Sequence, residues 1–194
     1  MRTRDGLPAG ACSGTVVTTR TILTAAHCLD EDTGIVRVWL GSGSEIVAQS
    51  FAFYPNFQFN LPGSFDVGVV VMAEDLPRNP VGILTSRDAR TGETAIIAGW
   101  GRDQNDVSAT LRAGSTIVTS VNSALLQTQY APPSSSGDSG GPILLNEGGG
   151  WVIAGITSAT SNNVCNTGTN FYQSIRNQNV RDFILQHVPN TVQR

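Results

Sequence analysis

Lysine is missing altogether, so all 12 basic residues are arginine. Histidine and cysteine are scarce, with 2 and 3. Charged residues make up 14%, where an ordinary globular domain has about a quarter. The net charge is −3 and the arginines form no cluster, which removes the electrostatic footprint of a nucleic-acid binder. No apolar run is long enough for a membrane helix, and residues 1–10 are too polar for a signal peptide or an anchor. A secreted chain of this kind is expected to have shed its leader. The lack of lysine itself reads as genomic composition bias. What is abundant is glycine, 21 residues in 194, together with serine and threonine. That composition points to an all-β chain rich in turns. The length suits one compact unit or two small subdomains.

The stretch that organises the rest is Ser134-Ser135-Ser136-Gly137-Asp138-Ser139-Gly140-Gly141-Pro142, followed by the apolar run Ile143-Leu144-Leu145. Glycine lets backbone approach a substrate closely and take dihedrals that other residues avoid. Such a turn can hold Ser139 outward and aim the amides of Gly137 and Ser139 at one point. Two convergent donors can stabilise a developing oxyanion. Alone, the stretch reads equally well as a Gly/Ser-rich surface loop.

A serine hydroxyl is a poor nucleophile without a base. His27 follows a strand-like run in Leu23-Thr24-Ala25-Ala26-His27-Cys28. His187 belongs to a helical pattern in which Val180, Phe183, Ile184, His187 and Val188 share a face, so it reads as a capping or half-buried histidine near a helix end. The acid that could orient His27 is Asp66, in Phe65-Asp66-Val67-Gly68-Val69-Val70-Val71. A carboxylate heading an apolar strand is costly to bury, so something must hydrogen-bond it. The other acids sit mostly in polar turns such as Asp30-Glu31-Asp32.

Strand candidates cover residues 15–17, 21–24, 35–40, 45–54, 66–72, 93–99, 114–121, 124–130, 142–145, 151–158 and 169–175. Many short strands between turn signals argue for a barrel or sandwich. Residues 86–92 are polar and turn-like, the best linker in the chain.

Thr24-Ala25-Ala26-His27-Cys28, then Asp66-Val67-Gly68-Val69, then Gly137-Asp138-Ser139-Gly140-Gly141-Pro142 resembles, in that order, the trypsin/chymotrypsin-like serine proteases. Gly99-Trp100-Gly101 and Gly155-Ile156-Thr157-Ser158 are similar to further landmarks of that family. The resemblance implies two six-stranded antiparallel β-barrels and a C-terminal α-helix. The expected bounds are 1–85 for the barrel carrying His27 and Asp66, 92–175 for the barrel carrying Ser139, and 176–194 for the helix and tail. It implies a serine endopeptidase with Ser139 as nucleophile, His27 as general base and acid, and Asp66 fixing the imidazole. Gly137 and Ser139 would supply the oxyanion hole, and Ser158 would hydrogen-bond Asp66 or the substrate backbone. A disulfide between Cys12 and Cys28 is implied beside His27, and with it an oxidising, extracellular location. Cys165 is expected to be unpaired within the chain, because Ser135 stands where the family has its partner.

The Gly-Asp-Ser-Gly-Gly stretch also fits a nucleophile elbow, whose triad would run Ser139, Asp182, His187. That serine should open a helix, whereas Pro142 onward reads as strand. The chain departs from the protease pattern in other ways. It has no Ile/Val-Val-Gly-Gly segment before Cys12, and Asp138 therefore needs another cation, with Arg2, Arg4 and Arg102 as candidates. An inactive or zymogen-like homologue acting as a binding module is the alternative reading. The specificity pocket is expected to have Pro133 and Ser134 at its base and Ser158, Ala159 and Thr160 as one wall. Thr169 or Asn170 would form the opposite wall. With no carboxylate among these, the pocket should prefer an uncharged, small to medium side chain; a preference for Glu is the competitor. The expected partners are a protein or peptide substrate and protein inhibitors, with no nucleic acid and no membrane, for a monomer without metal or cofactor.

Overall fold

The computed structural model describes residues 2–3, 10–29, 32–59, 61–102, 110–129, 138–161 and 168–194, the first two by backbone alone. Short strands dominate, as the turn-rich sequence requires. They are β1 (Arg2–Thr3), β2 (Thr15–Thr18), β3 (Thr21–Thr24), β4 (Thr33–Ile35), β5 (Arg37–Val38), β6 (Ile46–Phe53) and β7 (Gly68–Met72) in the first half. The second half has β8 (Thr94–Gly99), β9 (Arg112–Val121), β10 (Leu125–Gln129), β11 (Pro142–Glu147), β12 (Gly150–Thr160) and β13 (Thr169–Ser174). A single turn of 3-10 helix, Ala26–Cys28, carries His27, and the helix α1 (Gln178–His187) follows β13.

The second half closes into a barrel in the order β10-β13-β12-β11-β8-β9. The first half forms an open five-stranded sheet, β2-β3-β7-β6-β5, a half-barrel rather than a closed one among the described residues. The strand expected over 35–40 divides at Val36, because the chain changes partner there. β4 pairs with β1, whereas β5 pairs with β6. Val36 is buried, and its carbonyl accepts from the Ala48 amide at 3.0 Å.

Alternation explains the barrel. Thr116 and Val118 on β9 point inward while Ile117 between them faces out. One core gathers Leu84, Ile97, Val118, Leu126, Ile143, Leu145 and Tyr172 inside the closed barrel. The other joins Leu23, Leu29, Val69 and Met72 to Ile153, Ile156, Val180 and Ile184, so α1 and the back of β12 complete the core of the open half. Asn177 starts the helix, its side chain accepting from the amides of Asn179 and Val180. Such a cap contributes roughly 1 kcal/mol. Each aliphatic side chain buried on the stripe of Val180, Ile184 and Val188 adds about 1.5–3 kcal/mol. Among the described residues no helix is long and apolar enough to cross a membrane.

Candidate active site

His27 sits one residue past two fully buried alanines, Ala25 and Ala26, whose small side chains let the 3-10 turn press against the sheet. Its backbone amide donates to Asp66 Oδ1 at 3.0 Å, and its ring Nδ1 lies 2.8 Å from Asp66 Oδ2. The Ser158 hydroxyl donates to the same Oδ2 at 2.6 Å. Asp66 is 2% exposed, so its charge rests on these donors. An ionised carboxylate can only accept, which puts the proton on Nδ1 and leaves Nε2 as the acceptor of the neutral ring.

Asp66 does not open a strand. It lies in a tight turn two residues before β7, where the Val67 amide donates to the Phe65 carbonyl at 2.7 Å. The backbone amide of Asp66 donates to Gln173 Oε1 at 3.1 Å. Gln173 is fully buried on β13 and was missed in the sequence, where its only signal is a polar residue after the core residue Tyr172. Ser158 reaches across because the β12–β13 register slips around it: Thr157 faces Tyr172 and Ala159 faces Phe171. Such a bulge re-aims the side chain it releases.

Ser139 lies in the turn before β11. Its carbonyl accepts from the Ser13 amide at 2.8 Å, and Ser13 follows Cys12, which is bonded to Cys28 with a Cα–Cα distance of 6.3 Å. Gly140 has φ +82°, and a Cβ there would collide with the Thr24 hydroxyl and the Ser13 carbonyl. The turn is therefore pressed onto the end of β3, three residues before His27. On its other side Gly140 N donates to Thr157 O at 2.9 Å, next to Ser158. A strand follows Ser139, and His187 at the far end of α1 bonds the Phe183 carbonyl at 2.9 Å and lies tilted against the Phe183 ring at 4.3 Å. Asp182 and His187 belong to one helix, which removes the elbow arrangement.

A model of the trypsin family matches residues 2–184. The chain belongs to the trypsin family. A chymotrypsin-like elastase family member 1 from Bos taurus is 26% identical over 194 aligned residues, covering 80% of this chain and 70% of that one. Phenoloxidase-activating factor 3 from Holotrichia diomphalia is 27% identical, over 79% of this chain and 58% of its own length. In fold, a mutant of human heparin binding protein matches with a TM-score of 0.75 at 18% identity, covering 94% of this chain and 88% of that one.

In this trypsin-family chain the Asp138 carboxylate lies against Gly99 and Gly101, where a Cβ on either would overlap it, and the Gly101 amide donates to it at 2.8 Å. It lines a cavity of about 290 Å³ together with Arg102, Arg112, Thr157 and Tyr172. Arg102 was a sequence candidate for its partner and Arg112 was not; Arg112 also donates to the Gly101 carbonyl at 3.2 Å. Burial pushes the Tyr172 phenol up to about 12, with the Asp138 charge adding to the rise.

A second hollow of about 220 Å³ opens beside His27 and is lined by Phe57, Phe59, Leu61, Ser158 and Ala159. Phe59 is 66% exposed and meets the His27 ring edge-on at 6.5 Å. Ala159 and Thr160 pair with Phe171 and Asn170 across β12 and β13. The sulfurs of Cys12 and Cys28 lie within 4.8 Å of a His27 nitrogen, but both are used in the disulfide and offer no thiolate to a metal. Pro133, Ser134, Gly137, Cys165, Arg4 and the Arg2 side chain lie outside the described residues.

Proposed function

We propose that this chain is a serine endopeptidase working through an acyl-enzyme. The observation that carries it is the Ser158–Asp66–His27 hydrogen-bonded set at 2.6 and 2.8 Å, flanked by the Ser139 turn packed on the strand that leads to His27. In this reading Ser139 Oγ attacks the scissile carbonyl while His27 Nε2 takes its proton. The proton then goes to the leaving amine, and water, activated by the same nitrogen, releases the acyl group. Asp66 holds the tautomer and stabilises the imidazolium, and the amides of Gly137 and Ser139 receive the oxyanion. The Cys12–Cys28 bond supports an oxidising, extracellular setting.

The substrate is a polypeptide with an uncharged residue before the cut. Pro133 and Ser134 provide no carboxylate for Lys or Arg, and Thr160 narrows the entrance. The apolar hollow of Phe57, Phe59 and Leu61 suits an apolar side chain next to that residue. Labelling by a fluorophosphonate that disappears in Ser139→Ala supports the reading. A folded chain that never labels is a binding module instead. Chromogenic peptides differing only before the cut should be cleaved faster after Ala, Val or Leu than after Arg or Lys.

A further inference from the structure

Phe65 has φ +62°, the one left-handed backbone among the described residues that is not glycine. For a bulky aromatic that conformation costs about 1–2 kcal/mol. It persists only where the surroundings over-determine it. Before it, Ser64 Oγ accepts from the Gln58 amide at 3.2 Å and donates to the Gln58 carbonyl at 2.7 Å, closing the preceding loop on itself. After it comes the Val67-to-Phe65 bond, and the Val67 carbonyl accepts from the Tyr54 amide at 3.0 Å. The Phe65 ring lies 4.8 Å from Tyr54, and Tyr54 lies 5.8 Å from Phe183 on α1. The reversal at Phe65 thus sends one ring onto Tyr54, which in turn meets the terminal helix, and the next side chain to His27.

The peptide between Phe65 and Asp66 carries the amide that Gln173 accepts. Gln173 Nε2 donates to the Ala124 carbonyl at 2.9 Å, which leaves only its oxygen to face Asp66. We propose that Phe65 and Gln173 are a joint positioning device: the Phe65 ring, seated on Tyr54, locks the left-handed turn that presents its peptide to Gln173 of the closed barrel, and this contact fixes the Asp66 carboxylate relative to that barrel. The kinetic consequence rests on the peptidase reading. The geometric one does not. Misplacing a catalytic group by about 1 Å can cost 10²-fold in rate.

The test compares Phe65→Gly, which still reaches the left-handed region but has no ring, with Gln173→Met, which removes the acceptor at similar volume. Phe65→Tyr serves as the conservative control. The Nδ1 proton that His27 donates to Asp66 should give a far-downfield imidazole resonance in proton NMR, readable without turnover. In folded Phe65→Gly and Gln173→Met that resonance should shift or broaden, and kcat should fall about 10- to 10²-fold with KM little changed. Phe65→Tyr should restore both. Because the two residues act on one peptide, the double variant should be little worse than the worse single. A wild-type resonance and kcat in both folded variants would overturn the proposal. If either variant fails to fold, Tyr54→Leu takes its place; it removes the ring support alone, and an unmoved resonance there overturns the proposal equally. A wild-type chain that shows the resonance but never reacts with a fluorophosphonate refutes the peptidase reading, while the NMR comparison still decides this one.

Discussion

In the second half the hydrogen-bonded ladder runs round a barrel and closes, while among the described residues of the first it stops at β2 on one side and β5 on the other. A closed barrel has no unpaired edge to protect. The open sheet protects its β2 side with isolated loop contacts, Val81 to Val16 at 2.8 Å and Leu76 to Thr19 at 2.7 Å. It also carries the Cys12–Cys28 bond. The candidate residues lie just off the ladders in both halves. His27 is three residues past the end of β3, Asp66 two before β7, and Ser139 three before β11. A ladder fixes backbone and leaves side chains alternating. Converging side chains from different strands requires bends, bulges and side-chain bonds, and those stand where the regular pairing stops. In the proposed reading the open half therefore contributes the acid and base, and the closed half supplies the donor and acceptor, Ser158 and Gln173, that bond to Asp66.

The largest effect expected from breaking that division is on turnover. Ser139→Ala should reduce peptide hydrolysis to background. Asp66→Asn should lower kcat by about 10⁴, as the same change does in the Ser-His-Asp template, because the amide can stabilise the wrong tautomer. Both should keep native far-ultraviolet circular dichroism. Full loss in His187→Ala with retained activity in His27→Ala would place the base in the wrong half and end the comparison.

Much of the fold and of the site could be read from residue types. Strand-like runs between turn signals located β6, β8 and β9, and the stripe of Val180, Phe183, Ile184 and Val188 located α1. The order of His27, Asp66 and Ser139 was visible because the motifs around them resemble, in that order, those of one protease family. The break at Val36 was not visible, since nothing in Ile35-Val36-Arg37 says that its two sides pair with different strands. Asp66 was expected at the head of a strand because Val67 to Val71 is apolar. The turn before β7 depends on Phe65 adopting a conformation that its residue type disfavours, so local propensity pointed the other way. Gln173 and Arg112 bond to partners elsewhere in the chain, Asp66 and Gly101, which no local pattern encodes.

The next effect is on stability and should fall unevenly. Replacing Cys12 and Cys28 together by Ser opens a link spanning 16 residues. In the chain-entropy view a loop of that size is worth about 3 kcal/mol. Urea unfolding should show that loss. Native-state hydrogen exchange should show protection falling more in β2 and β3 than in β8 to β13. Equal losses in both halves would mean that the closed barrel leans on the disulfide as much as the open sheet does.

The smallest effect belongs to the closed barrel and appears only in alkali. Tyr172 is fully buried inside it, bonded to Thr128 Oγ1 at 3.2 Å, and its phenol is raised from 10 to about 12 by burial first and by the Asp138 charge in addition. The raised value means that the folded chain holds this proton more tightly than the unfolded chain does. Below pH 10 both states are protonated and the group adds no pH dependence. Between about pH 10 and 12 the unfolded state loses the proton first, so stability falls as pH rises, and a shift of two units corresponds to about 2–3 kcal/mol. Tyr172→Phe removes the titrating group, so its loss of stability across that window should be smaller than the wild type's, whatever its stability at pH 7. The measurement is chemical unfolding at a series of pH values from 8 to 12, with tyrosinate absorbance followed in parallel. Parallel curves for the two proteins would show that Tyr172 ionises without cost to the fold, and the closed barrel would then be less rigid about its interior than its unbroken ladder implies.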